Sequence, residues 1–374
     1  MIEVISSRKF IYSIRQWYFG ESHVQTYVKG SGGIVSIEIR PGVSLEYQIG
    51  LANTLKLNAW FNIPHLADDN YIQNMAILIR DTLNSSLKAY IEYSNEVWNW
   101  APGFIQTQYA YNMGTKTGYL DGNRHLTWYG KKVVSVQQIF YNVFGSEANS
   151  RIVRVLAVQP GTGDVQLNAA GGSFAVDALA IAPYFGSSLN AYFYNRGWIN
   201  ATVDDILDEA RVSILHDTMM ATRYSYLAAN SSGVRLIAYE GGQHMGGGGS
   251  CGSVDCTSIY GLQALFIAAN HDHRIKGLYR NMLKAWALEG GKEFASFSHI
   301  GFDSKYGSWG ILQYQQDNRT TAWKYQALIE NLGPIKDSNN SLSTATPSNL
   351  SSVYPSGRPS RRPSATMSKT PTKR

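Results

Sequence analysis

The chain has 374 residues, 44% hydrophobic and 12% aromatic, enough to bury a sizeable core in one large domain or two smaller ones. Its formal net charge of +6 is carried by residues 351–374, which hold Arg358, Arg361, Arg362, Lys369, Lys373 and Arg374 and no acid. The body is therefore charge-balanced, which argues against a nucleic-acid footprint on it, and no apolar run reaches the roughly 18 residues of a membrane-spanning helix.

In chain order, residues 1–41 form an irregular opening. "KFIYSIRQWYF" (9–19) and "GIVSIEI" (33–39) are candidate first strands, but "GESHVQTYVKGSG" between them is too short for the crossover helix of a parallel pair. "GVSLEYQIGLANTL" (42–55) reads as a helix. After it come near-continuous apolar runs of the kind that buried parallel strands show: "LKLNAWFNIP" (55–64), "LKAYIEYSN" (87–95), "RIVRVLAVQP" (151–160), "ALAIAPYFG" (178–186), "RLIAYEGG" (235–242) and "FASFSHIGF" (294–302). Between them lie amphipathic helical patterns at 68–84, 202–230 and 259–273, the first two capped by Asp68 and Thr202. Strand and helix alternating in this way imply parallel pairing with right-handed crossovers, and the expected fold is a (β/α)8 barrel over residues 42–333, irregular or incomplete at its first two strands.

Active sites of such barrels lie at the carboxyl ends of the strands. The polar residues that interrupt these apolar runs fall there: His65 after "FNIP", Glu96 after "EYSN", Tyr184 after "IAP" and Glu240 after "LIAY". A glutamate closing an apolar strand is costly to bury without a partner or a task. Two of them facing one cavity would equip the chain for glycoside hydrolysis, with one carboxyl donating a proton to the leaving oxygen and the other attacking the anomeric carbon. The alternative reading of the pair is an ion-paired barrel rim.

With "YIEYSNEVWNW" (90–100) as the fourth strand and "LIAYEGGQH" as the seventh, the chain resembles the clan A glycoside hydrolases, a retaining (β/α)8 superfamily. "EYQIGLAN", "WFNIPHLADD", "EYSNEVWNW" and "YEGGQH" resemble more closely a group of carbohydrate-active proteins often labelled as cellulose-binding, over about residues 42–330. The resemblance implies Glu96 as general acid/base, Glu240 as nucleophile and Asn95 as the contact to the sugar 2-hydroxyl. It implies that Tyr184 holds Glu240 ionised, that Trp309 floors the subsite of the cleaved sugar and that His65 contacts substrate; an arginine at the second strand could be Arg40 or Arg15. Trp98 is a further candidate sugar contact, although for it and Trp100 filling core is the favoured reading. The implied partner is a β-linked polysaccharide or oligosaccharide of plant or algal type, with no cofactor and no metal. The alternative within the same fold is a carbohydrate-binding barrel that has lost turnover.

Cys251 and Cys256, the only cysteines, lie in "GGGGSCGSVDCTS", where a local disulfide is the favoured reading and free thiols the next. Six N-x-S/T sequons, at Asn84, Asn200, Asn230, Asn318, Asn339 and Asn349, lean with the cysteine pair towards an extracellular or cell-surface setting, whereas the N-terminus shows no clean signal sequence. "HDH" (271–273) does not put both histidines on one helix face, and the glycine-rich stretches 161–166 and 246–252 lack the lysine of a phosphate loop. Residues 334–374 are poor in apolar residues and rich in Ser, Thr, Pro and basic ones, the composition of a disordered tail.

Overall fold

The computed structural model describes residues 43–101, 104–246, 260–304 and 306–332, together with the backbone course of 2–3, 13–16, 25–29, 33–38, 250–251 and 254–255. The expectations for the tail, for Arg40 and for the Cys251–Cys256 pairing lie outside the described residues. In chain order the first elements are β1 Ile2–Glu3, β2 Ser13–Gln16, β3 Gln25–Lys29, β4 Gly33–Glu38, α1 Leu45–Leu55, β5 Asn58–Ile63, α2 Asp69–Thr82 and β6 Ala89–Tyr93. There follow α3 Ile105–Lys116, α4 Arg124–Phe144, α5 Ala148–Arg151, β7 Ile152–Ala157, α6 Asp164–Ala170, β8 Ala178–Ile181, α7 Leu189–Arg196 and α8 Val203–Ser213. The last are α9 Met220–Ser231, β9 Arg235–Ala238, β10 Ser250–Cys251, β11 Val254–Asp255, α10 Tyr260–His271, α11 Ile275–Leu288 and α12 Trp323–Leu332.

The sheet order is β1-β2-β5-β6-β7-β8-β9, and from β2 to β9 every pairing is parallel. Strands that add in sequence order without reversal, each followed by helix, define a singly wound α/β barrel rather than an open doubly wound sheet. The side chains confirm the curl. Residues of the strands alternate between two apolar clusters: Phe61, Ile91, Leu156, Leu179 and Leu236 pack with the helices, while Trp60, Tyr90, Val155, Ala180, Ile237 and Tyr239 pack only among strands and their following loops. β6 and β9 are three strand positions apart, about 14 Å in a flat sheet. Yet the Tyr239 hydroxyl, just beyond β9, reaches a carboxyl oxygen of Glu96, just beyond β6, at 2.9 Å. Size is shared out around this interior: the cluster mixes bulky Trp60, Tyr90 and Tyr239 with the small Ala157, Ala178, Ala180 and Ala182, the kind of large-and-small mixture that fills a barrel centre.

The helices obey their caps. Asp68 accepts from the Tyr71 backbone N–H at 2.7 Å, and Thr202 forms a full capping box with Asp205. The pattern over 202–230 is interrupted, however: α8 and α9 are joined by a π-helical segment, Ile214–Met219. Two strand expectations are corrected. Residues 33–39 do not join the main sheet: β4 pairs antiparallel with β3, the strand immediately before it in the chain, and β2 lies directly against β5. Residues 294–302 contribute one parallel bridge, Phe294 to Ala238, and then leave the sheet, with Ile300 bridging Leu312 instead. The turn residues Ser298, Gly301 and Gly310 draw that segment into a loop whose backbone pairs with 309–312.

Candidate active site

The turn after β6 is built under strain. Ser94 and Glu96 both adopt left-handed φ values, +64° and +46°, on either side of Asn95. For residues with a side chain this conformation costs roughly 1–2 kcal/mol each, and such outliers concentrate where geometry serves a site. The start of α3 braces the turn: Gln106 Nε2 donates to the Asn95 carbonyl at 2.7 Å and Thr107 Oγ1 to the Asn99 carbonyl at 2.6 Å. The result turns the Glu96 side chain into the barrel mouth while leaving it only 8% exposed. Its Oε1 accepts from Tyr239 at 2.9 Å and its Oε2 from Asn99 Nδ2 at 2.8 Å. The Asn99 amide cannot turn round, since its own Oδ1 accepts the Ala101 N–H at 2.9 Å.

Glu240, 4% exposed, follows Tyr239 directly and accepts a hydrogen bond from the Tyr184 hydroxyl at 3.0 Å. The two carboxyls are thus linked through adjacent residues, with Tyr239 on Glu96 and Tyr184 on Glu240. Gly242 has φ +141° and a side chain there would meet the Tyr279 hydroxyl at 3.0 Å, so the "EGG" turn that releases Glu240 from the strand admits no larger residue at its second glycine. Tyr184 is held from behind. Thr218, in the π-helical segment, donates to the Tyr184 carbonyl at 3.2 Å, and Asp217 beside it hydrogen-bonds Gly186 and Ser187 while burial pushes its carboxyl up. Both side chains come from the π-helical turn 214–219, a feature often found at functional sites.

Half-buried Trp309 stands edge-on to Tyr184, His244 and Phe297, with ring centroids 6.0, 4.6 and 5.6 Å away. His65 is buried, its carbonyl accepts from Tyr93 at 2.8 Å and its ring meets Tyr109 edge-on. Trp98 packs on the barrel interior cluster, and its buried indole N–H has no partner among the described residues. β2 places the backbone of Arg15 opposite Trp60. The structure therefore brings Asn95, Glu96, Glu240, Tyr184 and Trp309 to the carboxyl ends of β6, β8 and β9 and the loop beyond. His65 ends β5 on the same side.

Three residues of this region have no counterpart in the sequence reading. Tyr239 is fully buried and touches Glu96. His244 is wedged between Tyr184 and Trp309, and burial pushes its imidazole below the usual range, so the ring is neutral. Glu92, one barrel layer below, is fully buried and accepts the Trp60 indole N–H at 2.7 Å. The alternation Tyr90, Glu92 against Ile91, Tyr93 is the signal that marks Glu92 as inward-facing. Among the described residues no group of three or more His, Cys, Asp or Glu could hold a metal ion, and no helix is long and apolar enough to cross a membrane.

No protein-family model matches the chain, and no curated protein sequence matches it. Solved structures do. A modular endo-β-1,4-mannanase from Cellulomonas fimi, described with the glycoside hydrolase family 26 mannanases, is 13% identical over 77% of this chain and 60% of its own, with a TM-score of 0.43. A GH5-4 broad-specificity endoglucanase from Ruminococcus champanellensis, solved with bound cellotriose, is 14% identical over 80% of this chain and 78% of its own, with a TM-score of 0.39. A β-glucosidase is 10% identical over 86% of this chain and 83% of its own, with a TM-score of 0.40. The chain thus spans about 60% of the length of the mannanase it matches. What defines it structurally is its own topology, a parallel, singly wound barrel with two buried glutamates at the mouth.

Proposed function

We propose that the protein is a retaining glycoside hydrolase acting on a β-linked polysaccharide or oligosaccharide outside the cell. The observation that carries this is the pair Glu96 and Glu240, both buried, at the ends of non-adjacent strands, each held by a tyrosine hydroxyl, one of which neighbours the other carboxyl in sequence. Glu240, receiving the Tyr184 hydrogen bond, is kept ionised and attacks the anomeric carbon. Glu96 gives a proton to the departing oxygen and then takes one from the water that releases the sugar. Tyr239 and Asn99 each donate to one carboxyl oxygen of Glu96 and so orient it for this proton transfer. Trp309 offers a flat ring for a sugar face, and the unpartnered Trp98 indole N–H a donor for a hydroxyl. Six sequons and the cysteine pair support the extracellular setting.

The test is hydrolysis of a panel of aryl β-glycosides and insoluble β-glucans, mannans and xylans, beside Glu240→Ala, with the anomer of the first-formed product read by NMR. Turnover that retains configuration and disappears in Glu240→Ala supports the proposal. Inversion would reject the double displacement. Binding of a polysaccharide by folded protein without turnover would replace it by the reading of a carbohydrate-binding barrel.

A further inference from the structure

Away from the glutamate pair, a cavity of about 220 Å³ opens between the end of α10, the segment 310–322 and the start of α12. Asn270, His271, Asp303, Gln313, Trp323 and Lys324 are among the residues that line it. Lys324 is the anomaly. It is only 7% exposed, and its Nζ donates to two uncharged acceptors, the Ser308 carbonyl at 2.7 Å and Asn270 Oδ1 at 3.3 Å. The charge of Asp303 favours the ammonium form, but Asp303 is itself engaged by His271 Nε2 at 2.7 Å and by Gln313 Nε2. Burial outweighs that charge and pushes the amine down to about 7.

A lysine amine without its proton is a nucleophile, and desolvation in a cavity is the usual way a protein makes one. The wall carries a His–Asp pair able to move protons, and an aromatic ring, Trp323, beside the lysine. Asp303 and Asp317 on the same wall oppose an anionic ligand. A cavity of this volume takes a molecule the size of benzene or somewhat larger.

We propose that Lys324 captures a small neutral aldehyde or ketone in this cavity as a reversible imine. The Nζ lone pair attacks the carbonyl carbon and forms the C–N bond, while the carbonyl oxygen takes up a proton to give the carbinolamine. That hydroxyl then leaves with a second proton as water, the nitrogen having lost the balancing protons, and the C=N bond forms. Water reverses the sequence, and no electrons are exchanged with any other reactant. The proposal is independent of the glycosidase reading, because it uses none of the residues assigned to that site.

The purified wild-type chain is incubated near neutral pH with propionaldehyde and sodium cyanoborohydride, which reduces any imine to a stable propyl-amine, and modified lysines are quantified by peptide mass mapping. Lys324 should be labelled at least tenfold faster than the exposed Lys88 and Lys131. Its rate should level off above about pH 8, whereas theirs keeps rising, because ordinary lysines stay protonated up to about 10.4. Lys324→Arg should remove the fast-labelled site. Labelling of Lys324 no faster than that of the surface lysines, or only after addition of denaturant, would overturn the proposal and leave Lys324 as a buried tether between α12 and the Ser308 loop.

Discussion

Ser94 shows how a single residue is bent to the needs of the barrel mouth. Its left-handed backbone and its buried, unpartnered hydroxyl are two separate costs, about 1–2 kcal/mol for the first and about 1–3 kcal/mol for the second. Glycine removes both and loses roughly 0.5–1 kcal/mol of chain entropy. Ser94→Gly should therefore raise stability by about 1 kcal/mol in urea denaturation, and Ser94→Val, with a branched Cβ in a left-handed turn, should lower it by at least as much. Tyr239 permits a second test at this scale. Removing its hydroxyl in Tyr239→Phe takes a donor from the ionised form of Glu96 and so raises that carboxyl's pKa. If Glu96 is the general acid, the alkaline limb of the kcat/KM profile moves to higher pH; an unmoved limb would take the acid role away from Glu96. Glu96 and Glu240 were visible in the sequence because a carboxylate ending an apolar run breaks a pattern. His244 and Lys324 were not, since their meaning comes from burial by elements distant in the chain, and Glu92 was hidden in a run read as near-continuous.

At the scale of elements, local rules held wherever local physics decides. The Asp68 and Thr202 caps and strands β5 to β9 follow from hydrophobic runs and capping chemistry in the sequence itself. Thr202→Ala removes the hydroxyl half of the capping box, leaving the Thr202 backbone N–H bond to Asp205, and should cost about 1 kcal/mol in thermal or chemical unfolding, while Thr202→Ser should be nearly neutral. The π-helical segment 214–219 has no such local signature: the residues around it are ordinary helix formers, and it is there that Thr218 meets the Tyr184 loop. Residues 294–302 likewise looked like a strand because they are apolar and aromatic. Only their first residues ladder onto β9, through backbone bonds at Glu293 and Ala295, and the rest is buried by packing Phe294 against Trp286 and Phe297 against Trp309.

For the whole molecule, the buried amine makes stability depend on pH in a defined direction. Lys324 titrates at about 7 in the fold and near 10.4 when unfolded, so between those values the unfolded chain binds one more proton than the native one. Stability contributed by this residue thus rises with pH, by about 1.4 kcal/mol per unit across that window. Lys324→Met removes the slope. The difference in unfolding free energy between wild type and variant, measured at pH 7 and again at pH 9, should change by about 2–3 kcal/mol in favour of wild type, and an unchanged difference would mean the amine is charged in the native state. The barrel itself could be read from alternating elements, but its opening strands could not, because β2 is too short and too far from its neighbours in pattern to be told from β4. The bond from Tyr239 to Glu96 has a consequence in time. It joins residues 143 positions apart, and Tyr90 to Glu293 joins residues 203 apart, so each closes a long loop that other long-range contacts must close with it. Contacts of this separation are expected to complete late in folding. During refolding, helical signal should return first, and the Glu96–Tyr239 pairing should appear only in the slowest phase.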